Sequence, residues 1–215
     1  MPDTDLLKKN KKQQLRRTLR HARMNASRQY ASKANLNLAS QLRKLRVYRS
    51  AKNIGIYLPF QSEFPTTSII QSNLKLKKYS YVPSITSIRN KQMRFVPLNR
   101  KSANNCKKHR LKKNVYGISE PKNNCFKKSI KPQSLDIIFL PLLGFNRNGE
   151  RLGMGGGYYD RALQFKLAFK HLKRPYLIGL AFSAQETLKL YSQKWDVPLN
   201  AIITEENIYH FDSLL

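Results

Sequence analysis

This chain predicts a layered α/β fold, and three observations carry that expectation. Helical apolar periodicities alternate with short strand-like runs. One continuous apolar run, Leu135–Leu140, stops at Pro141 and reads as a central strand. A glycine-rich stretch follows it, and ligands in open α/β sheets bind beyond the carboxyl ends of strands. With 215 residues, 40% of them hydrophobic, the chain suits one domain (1–215) with a real core.

The elements follow in order. Leu15, Leu19, Ala22, Ala26 and Tyr30 recur at helical intervals, with Arg16, Arg17, Arg20 and Arg23 on the opposite face. Ala34, Leu38, Leu42 and Leu45 form a second helical pattern. Ile54–Leu58 reads as a buried strand ended by Pro59, and Thr66 or Thr67 as the cap of a helix through Ile69, Ile70 and Leu74. Tyr79–Val82 is strand-like and stops at Pro83, and Met93–Val96 is strand-like too. Residues 99–131 are rich in Lys and Asn, with Glu120 the only acid, and read as a basic, irregular, solvated segment linking two halves of the sheet. Beyond the glycines, Tyr158–Phe169 looks helical, Tyr176–Phe182 strand-like, Ala184–Leu190 helical, and Ala201–Thr204 a last strand.

Composition narrows the function classes. Lys and Arg number 41 against 12 acids, a net charge of +29 that attracts polyanions of any kind. No apolar run reaches membrane-span length, and no apolar segment follows the charged N-terminus, so the expectation is a cytoplasmic protein without membrane contact. Cys106 and Cys125 have neither zinc spacing nor a disulfide framework and read as free thiols.

The chemistry concentrates in Pro141–Arg161, which contains Arg151-Leu-Gly-Met-Gly-Gly-Gly-Tyr-Tyr-Asp160. Gly153, Gly155, Gly156 and Gly157 let the backbone approach a ligand and turn amide N–H groups on phosphate oxygens. A following helix N-terminus would add partial positive charge. Arg151 stands where it can make paired hydrogen bonds to phosphate. No Gly-Lys-[Ser/Thr] follows, and Tyr158 takes the place of the sixth-position glycine of a dinucleotide loop, so neither common nucleotide motif applies. Glycine clusters also make plain tight turns. Asp160, in the first turn of the expected helix, suits Mg²⁺ or serves only as a helix-end residue. Asp196 reads from its surroundings as a turn before Pro198.

The stretch 151–160, preceded by Pro141…Gly149, resembles the signature of the 5-formyltetrahydrofolate cyclo-ligase family. Lys12-Gln-Gln-Leu-Arg16, Tyr57-Leu-Pro…Glu63, Gly117-Ile-Ser-Glu-Pro121 and Trp195-Asp-Val-Pro-Leu…Ile202-Ile-Thr support the likeness in the family's order. The resemblance implies a Rossmann-like sandwich of the NagB/RpiA/CoA-transferase-like type, with a central mixed, mostly parallel sheet flanked by helices. It implies an enzyme that uses ATP and Mg²⁺ to close 5-formyltetrahydrofolate, polyglutamylated or not, into 5,10-methenyltetrahydrofolate, releasing ADP and phosphate; nothing in the sequence demands an oligomer, so a monomer is expected.

By the same resemblance, Lys12, Arg16, Arg151, Leu152, Gly153, Met154, Gly155, Gly156, Gly157, Tyr158 and Tyr159 would bind ATP, with Arg151, Lys12 and Tyr158 catalytic. Leu58, Glu63 and Met154 to Tyr158 would contact the folate, and Asp160 and Asp196 the metal. On composition alone, Lys12 and Arg16 are ordinary solvated helix charges.

Two other readings stay open on the sequence. One is a nucleic-acid-binding protein, which the charge favours but which lacks zinc-finger and RNP-like motifs. The other is a small-molecule kinase, which would use the same loop but create no new chromophore.

Overall fold

The computed structural model describes residues 3–98, 111–121, 128–169 and 171–211. Cys106 and Cys125 lie outside the described residues, so the reading of them as free thiols has no structural counterpart. The main sheet contains β1 (Asn53–Gly55), β2 (Tyr79–Ser87), β3 (Gln92–Pro97), β6 (Ile137–Pro141), β9 (Tyr176–Leu180), β10 (Ala201–Ile203) and β11 (Ile208–His210). Two hairpins lie outside it: β4 (Leu111–Lys113) with β5 (Ser119–Pro121), and β7 (Gly144–Phe145) with β8 (Arg151–Leu152). The strand order is β11-β10-β9-β6-β1-β2-β3. The five inner strands run parallel, and β3 and β11 close the edges antiparallel. The expected mixed, mostly parallel sheet is therefore present.

Alternation along the strands explains why both faces are covered. In β6, Ile137 and Phe139 pack into one apolar cluster and Ile138 and Leu140 into the other. The first cluster includes residues of α1 (Asp3–Lys44), α2 (Arg46–Ser50) and α3 (Thr67–Lys75). The second includes Leu163 of α4 (Tyr158–Leu163) and Phe165 of α5 (Phe165–Ala168). From β1 the chain proceeds to β2 on one side, and from β6 to β9 and β10 on the other. The direction of winding reverses between β1 and β6, which opens a crevice beyond their carboxyl ends.

Several elements differ from the sequence expectation. The two N-terminal helical patterns are one helix, because residues 3–44 contain no Gly or Pro to break it. Arg23, placed with the solvent-facing arginines, is 1% exposed. It lies four residues after Leu19 and three before Ala26, within the buried stripe.

Pro83 does not end its strand. Facing it on β3, Phe95 exchanges its backbone N–H and C=O with Ile130, so the Pro83–Phe95 position needs no N–H from proline. Thr66 precedes α3, but its hydroxyl donates to the Tyr57 carbonyl (3.0 Å) rather than capping the helix. The helix expected over Tyr158–Phe169 splits at Gln164. The one expected over Ala184–Leu190 is only a 3₁₀ turn at Ser183–Gln185. Buried Gln185 bridges inward there, donating to the carbonyls of Leu142 and Leu143 (2.9 and 3.0 Å) and accepting from the Phe182 N–H (2.8 Å).

The segment 99–131, expected to be irregular, contains the β4–β5 hairpin, although 99–110 and 122–127 lie outside the described residues. Buried Glu120 pins that hairpin to β2 by accepting from the Ser84 hydroxyl (2.9 Å) and the Ile85 N–H (3.3 Å).

Candidate functional site

A cavity of about 710 Å³ fills the crevice beyond β1 and β6. Its walls come from the turn after β1 (Tyr57, Leu58, Phe60, Glu63), the glycine loop, the β4–β5 hairpin (Asn114, Tyr116, Ile118) and helix α1.

Helix α1 runs along this cavity and touches it in sequence order. Lys12 Nζ donates to Asp196 Oδ2 (3.2 Å), and Arg16 Nε donates to the Gly153 carbonyl (3.1 Å). Arg20 lines the wall between them and Arg23. Arg23 Nε donates to Ser62 Oγ (3.2 Å), and its Nη1 stands 3.9 Å from Glu63 Oε1. At 1.5 Å rise per residue, Lys12 and Arg23 are about 16 Å apart along the axis.

The glycine loop is shaped where the sequence requires it. Gly155 (φ +101°) and Gly157 (φ +72°) occupy left-handed conformations that side chains resist. A Cβ at Gly155 would stand 3.6 Å from Arg16 Cζ, so the guanidinium lies over the loop. Arg151, 6% exposed, forms an ion pair through Nη2 with Asp160 Oδ1, and its buried Nε has no hydrogen-bond acceptor. Strand alternation in β8 turns Arg151 to the cavity and Leu152 to the opposite side. Leu152 is 1% exposed, packed with Leu19, Leu143 and Leu190. Its side chain is therefore excluded from the cavity, whereas the other residues expected to bind ATP line it. Helix α4 has six residues, so the expected helix-end field is short, and the surrounding cations are the principal source of positive charge.

The other end is more apolar and aromatic. Burial pushes the Glu63 carboxyl above the usual carboxylate range, while the Phe60 N–H (3.0 Å to Oε2) and Arg23 pull it back. Burial also raises the Tyr57 and Tyr159 phenols, with Glu63 adding to both. Burial lowers Arg16 and Arg23, partly offset by Asp196 and Glu63 respectively. The Tyr158 hydroxyl meets that of Tyr116 at 2.9 Å, and this hydrogen bond raises Tyr158 to about 12.

All the expected site residues except Leu152 line this one cavity. Asp160 and Asp196 both line it, each held by a cation. Among the described residues, no three His, Cys, Asp or Glu side chains cluster as a metal site. Sequence reasoning missed Tyr57, Phe60, Arg20, Tyr116 and Trp195 as lining residues and Arg23 behind the wall. For Arg23, its place in the buried stripe was an available signal.

A profile of the 5-formyltetrahydrofolate cyclo-ligase family matches residues 8–205. The chain belongs to that family. A Haemophilus influenzae 5-formyltetrahydrofolate cyclo-ligase is 33% identical over 195 residues, covering 90% of this chain and 97% of that one. The Mus musculus family member is 30% identical over 161 residues, 74% of this chain and 76% of its own. The solved structure of Aquifex aeolicus 5,10-methenyltetrahydrofolate synthetase superposes with a TM-score of 0.73 at 26% identity, covering 93% of this chain and 92% of that one. Among the described residues, no helix is long and apolar enough to cross a membrane.

Proposed function

We propose that this chain catalyses the ATP-dependent cyclisation of 5-formyltetrahydrofolate to 5,10-methenyltetrahydrofolate, with release of ADP and phosphate. The observation that carries this reading is one cavity that joins a glycine loop flanked by Arg16 and Arg151 to an aromatic end bearing Glu63. Glu63 offers carboxylate oxygens to the amino and ring N–H groups of a pterin, and Leu58 packs against its ring. Lys12, Arg16 and Arg151 take phosphate oxygens, and the amides of 153–157 surround them.

A formamide oxygen is a poor leaving group. The formyl oxygen attacks the γ-phosphorus, the bond to the bridging oxygen breaks, and ADP leaves. N10 attacks the activated carbon, the carbon–oxygen bond breaks, phosphate departs and N10 loses its proton. The chain supplies alignment and charge. Arg151 neutralises the transferring phosphoryl group, and Tyr158, a phenol paired with the Tyr116 hydroxyl (2.9 Å), offers a hydrogen bond beside it. Asp160 and Asp196 would hold magnesium together with phosphate oxygens, a fit for an ion that takes one or two carboxylates from protein. The metal would supply further neutralisation of phosphate charge.

Incubation with MgATP and 5-formyltetrahydrofolate should produce a near-ultraviolet absorbance band from the conjugated methenyl product. Phosphorylated product without that band would refute cyclisation and favour a kinase.

A further inference from the structure

The proposed reaction gives one prominent side chain no role. Trp195, the only tryptophan of the chain, lines the cavity yet is 62% exposed. Its place is set by a fixed turn. Asp196 Oδ2 accepts from the Gln193 N–H (2.9 Å), the Asp196 N–H donates to the Gln193 carbonyl (3.0 Å), and Lys12 holds the same carboxylate.

The order of contacts along α1 decides which part of a ligand reaches that turn. Glu63 stands at the Arg23 end, the glycine loop at Arg16, and the Trp195–Asp196 turn at Lys12. If the pterin lies at Glu63, the γ-phosphate must meet the formyl oxygen between Glu63 and the loop. The remaining phosphates and the nucleoside then extend toward Lys12. Near that end, Trp195 offers an exposed aromatic face, and a π-face is what a nucleobase stacks on.

We propose that the Trp195 indole is the platform on which the purine base of the nucleotide stacks. This rests on the cyclo-ligase reading for the placement of the phosphates. The stack fixes the base end of ATP, and Lys12 and Arg16 fix the chain of phosphates leading from it.

The test uses wild-type protein and the variants Trp195→Ala and Trp195→Phe, with Mg²⁺, ATP and inorganic tripolyphosphate as probes. Calorimetry should give a Kd for ATP that rises about 10-fold in Trp195→Ala and recovers largely in Trp195→Phe, the scale of one base–aromatic stack. The Kd for tripolyphosphate should be unchanged in both. The single tryptophan should lose fluorescence on adding ATP and keep it on adding tripolyphosphate. Unchanged ATP affinity in Trp195→Ala would overturn the platform, as would an equal loss for both probes, while product formation by the wild type would leave the cyclo-ligase reading intact. Failure of the wild type to bind ATP at all would overturn both.

Discussion

Replacing Arg23 with methionine removes a buried cation whose guanidinium lies 3.9 Å from the Glu63 carboxylate. At an effective dielectric constant of about 20, unit charges at that separation attract by about 4 kcal/mol. Desolvation offsets part of this, since Arg23 Nη1 and Nη2 have no hydrogen-bond acceptor. The expected coupling between the two residues is therefore about 1–3 kcal/mol. Arg23→Met alone should cost about 3 kcal/mol, because Glu63 is left buried without its cation. Arg23→Met combined with Glu63→Gln should cost clearly less than the sum of the single variants. Urea denaturation of the four proteins measures the cycle, and KM for 5-formyltetrahydrofolate in Arg23→Met reports whether Glu63 still presents an ionised carboxylate. Additivity within about 0.5 kcal/mol would refute the pairing. An unchanged KM in folded Arg23→Met would show that the pair does not serve the substrate.

Three further outcomes follow from the same geometry. Arg151→Lys should fold but lose about 10²–10³ in kcat, since an ammonium cannot reproduce the forked contact of a guanidinium to phosphate; steady-state kinetics check it. KM for the folate should rise as pH falls through a carboxyl pKa raised above the usual carboxylate range, because burial raises Glu63 and its protonated form cannot accept from two pterin N–H groups; KM measured against pH locates that limb. Gly155→Ala should raise KM for ATP about 10-fold or more through strain at φ +101° beside Arg16, and nucleotide titration reads it out.

What the sequence made legible was local. The glycine loop, its arginine and its aspartate stand within ten consecutive residues after one strand, so the group was visible without a fold. The rest depended on long closures: Lys12 meets Asp196 across 184 positions, and Arg16 meets Gly153 across 137. On a charged helix nothing local separates Arg16 from Arg17; only the packing of α1 along the crevice does. Taking the contiguous motif whole hid the strand alternation that puts the Leu152 side chain opposite Arg151. Tyr116 carried no signal at all, standing in a lysine- and asparagine-rich stretch whose β4–β5 hairpin is pinned to β2 through Glu120.

The net charge of +29 suggests a strongly positive site, yet four cations and three carboxylates line the cavity among the described residues. Each of those carboxylates stands beside a cation: Glu63 beside Arg23, Asp160 beside Arg151, and Asp196 beside Lys12. On the proposed reading, Arg151 and Lys12 would exchange a carboxylate for phosphate oxygens when nucleotide binds, which would leave Asp160 and Asp196 for the accompanying magnesium. Such an exchange would make metal-free ATP a poor ligand, because two carboxylates would then face the phosphates uncompensated. Asp160→Asn tests the argument. It should bind metal-free ATP more tightly than the wild type, since Arg151 is released and one negative charge is gone. It should bind MgATP more weakly, so the ratio of the two affinities should fall by about 10-fold or more, the size of a single charge-assisted contact. Calorimetric titrations with ATP in chelator and in excess Mg²⁺ measure that ratio. An unchanged ratio would mean that Asp160 serves only to orient Arg151.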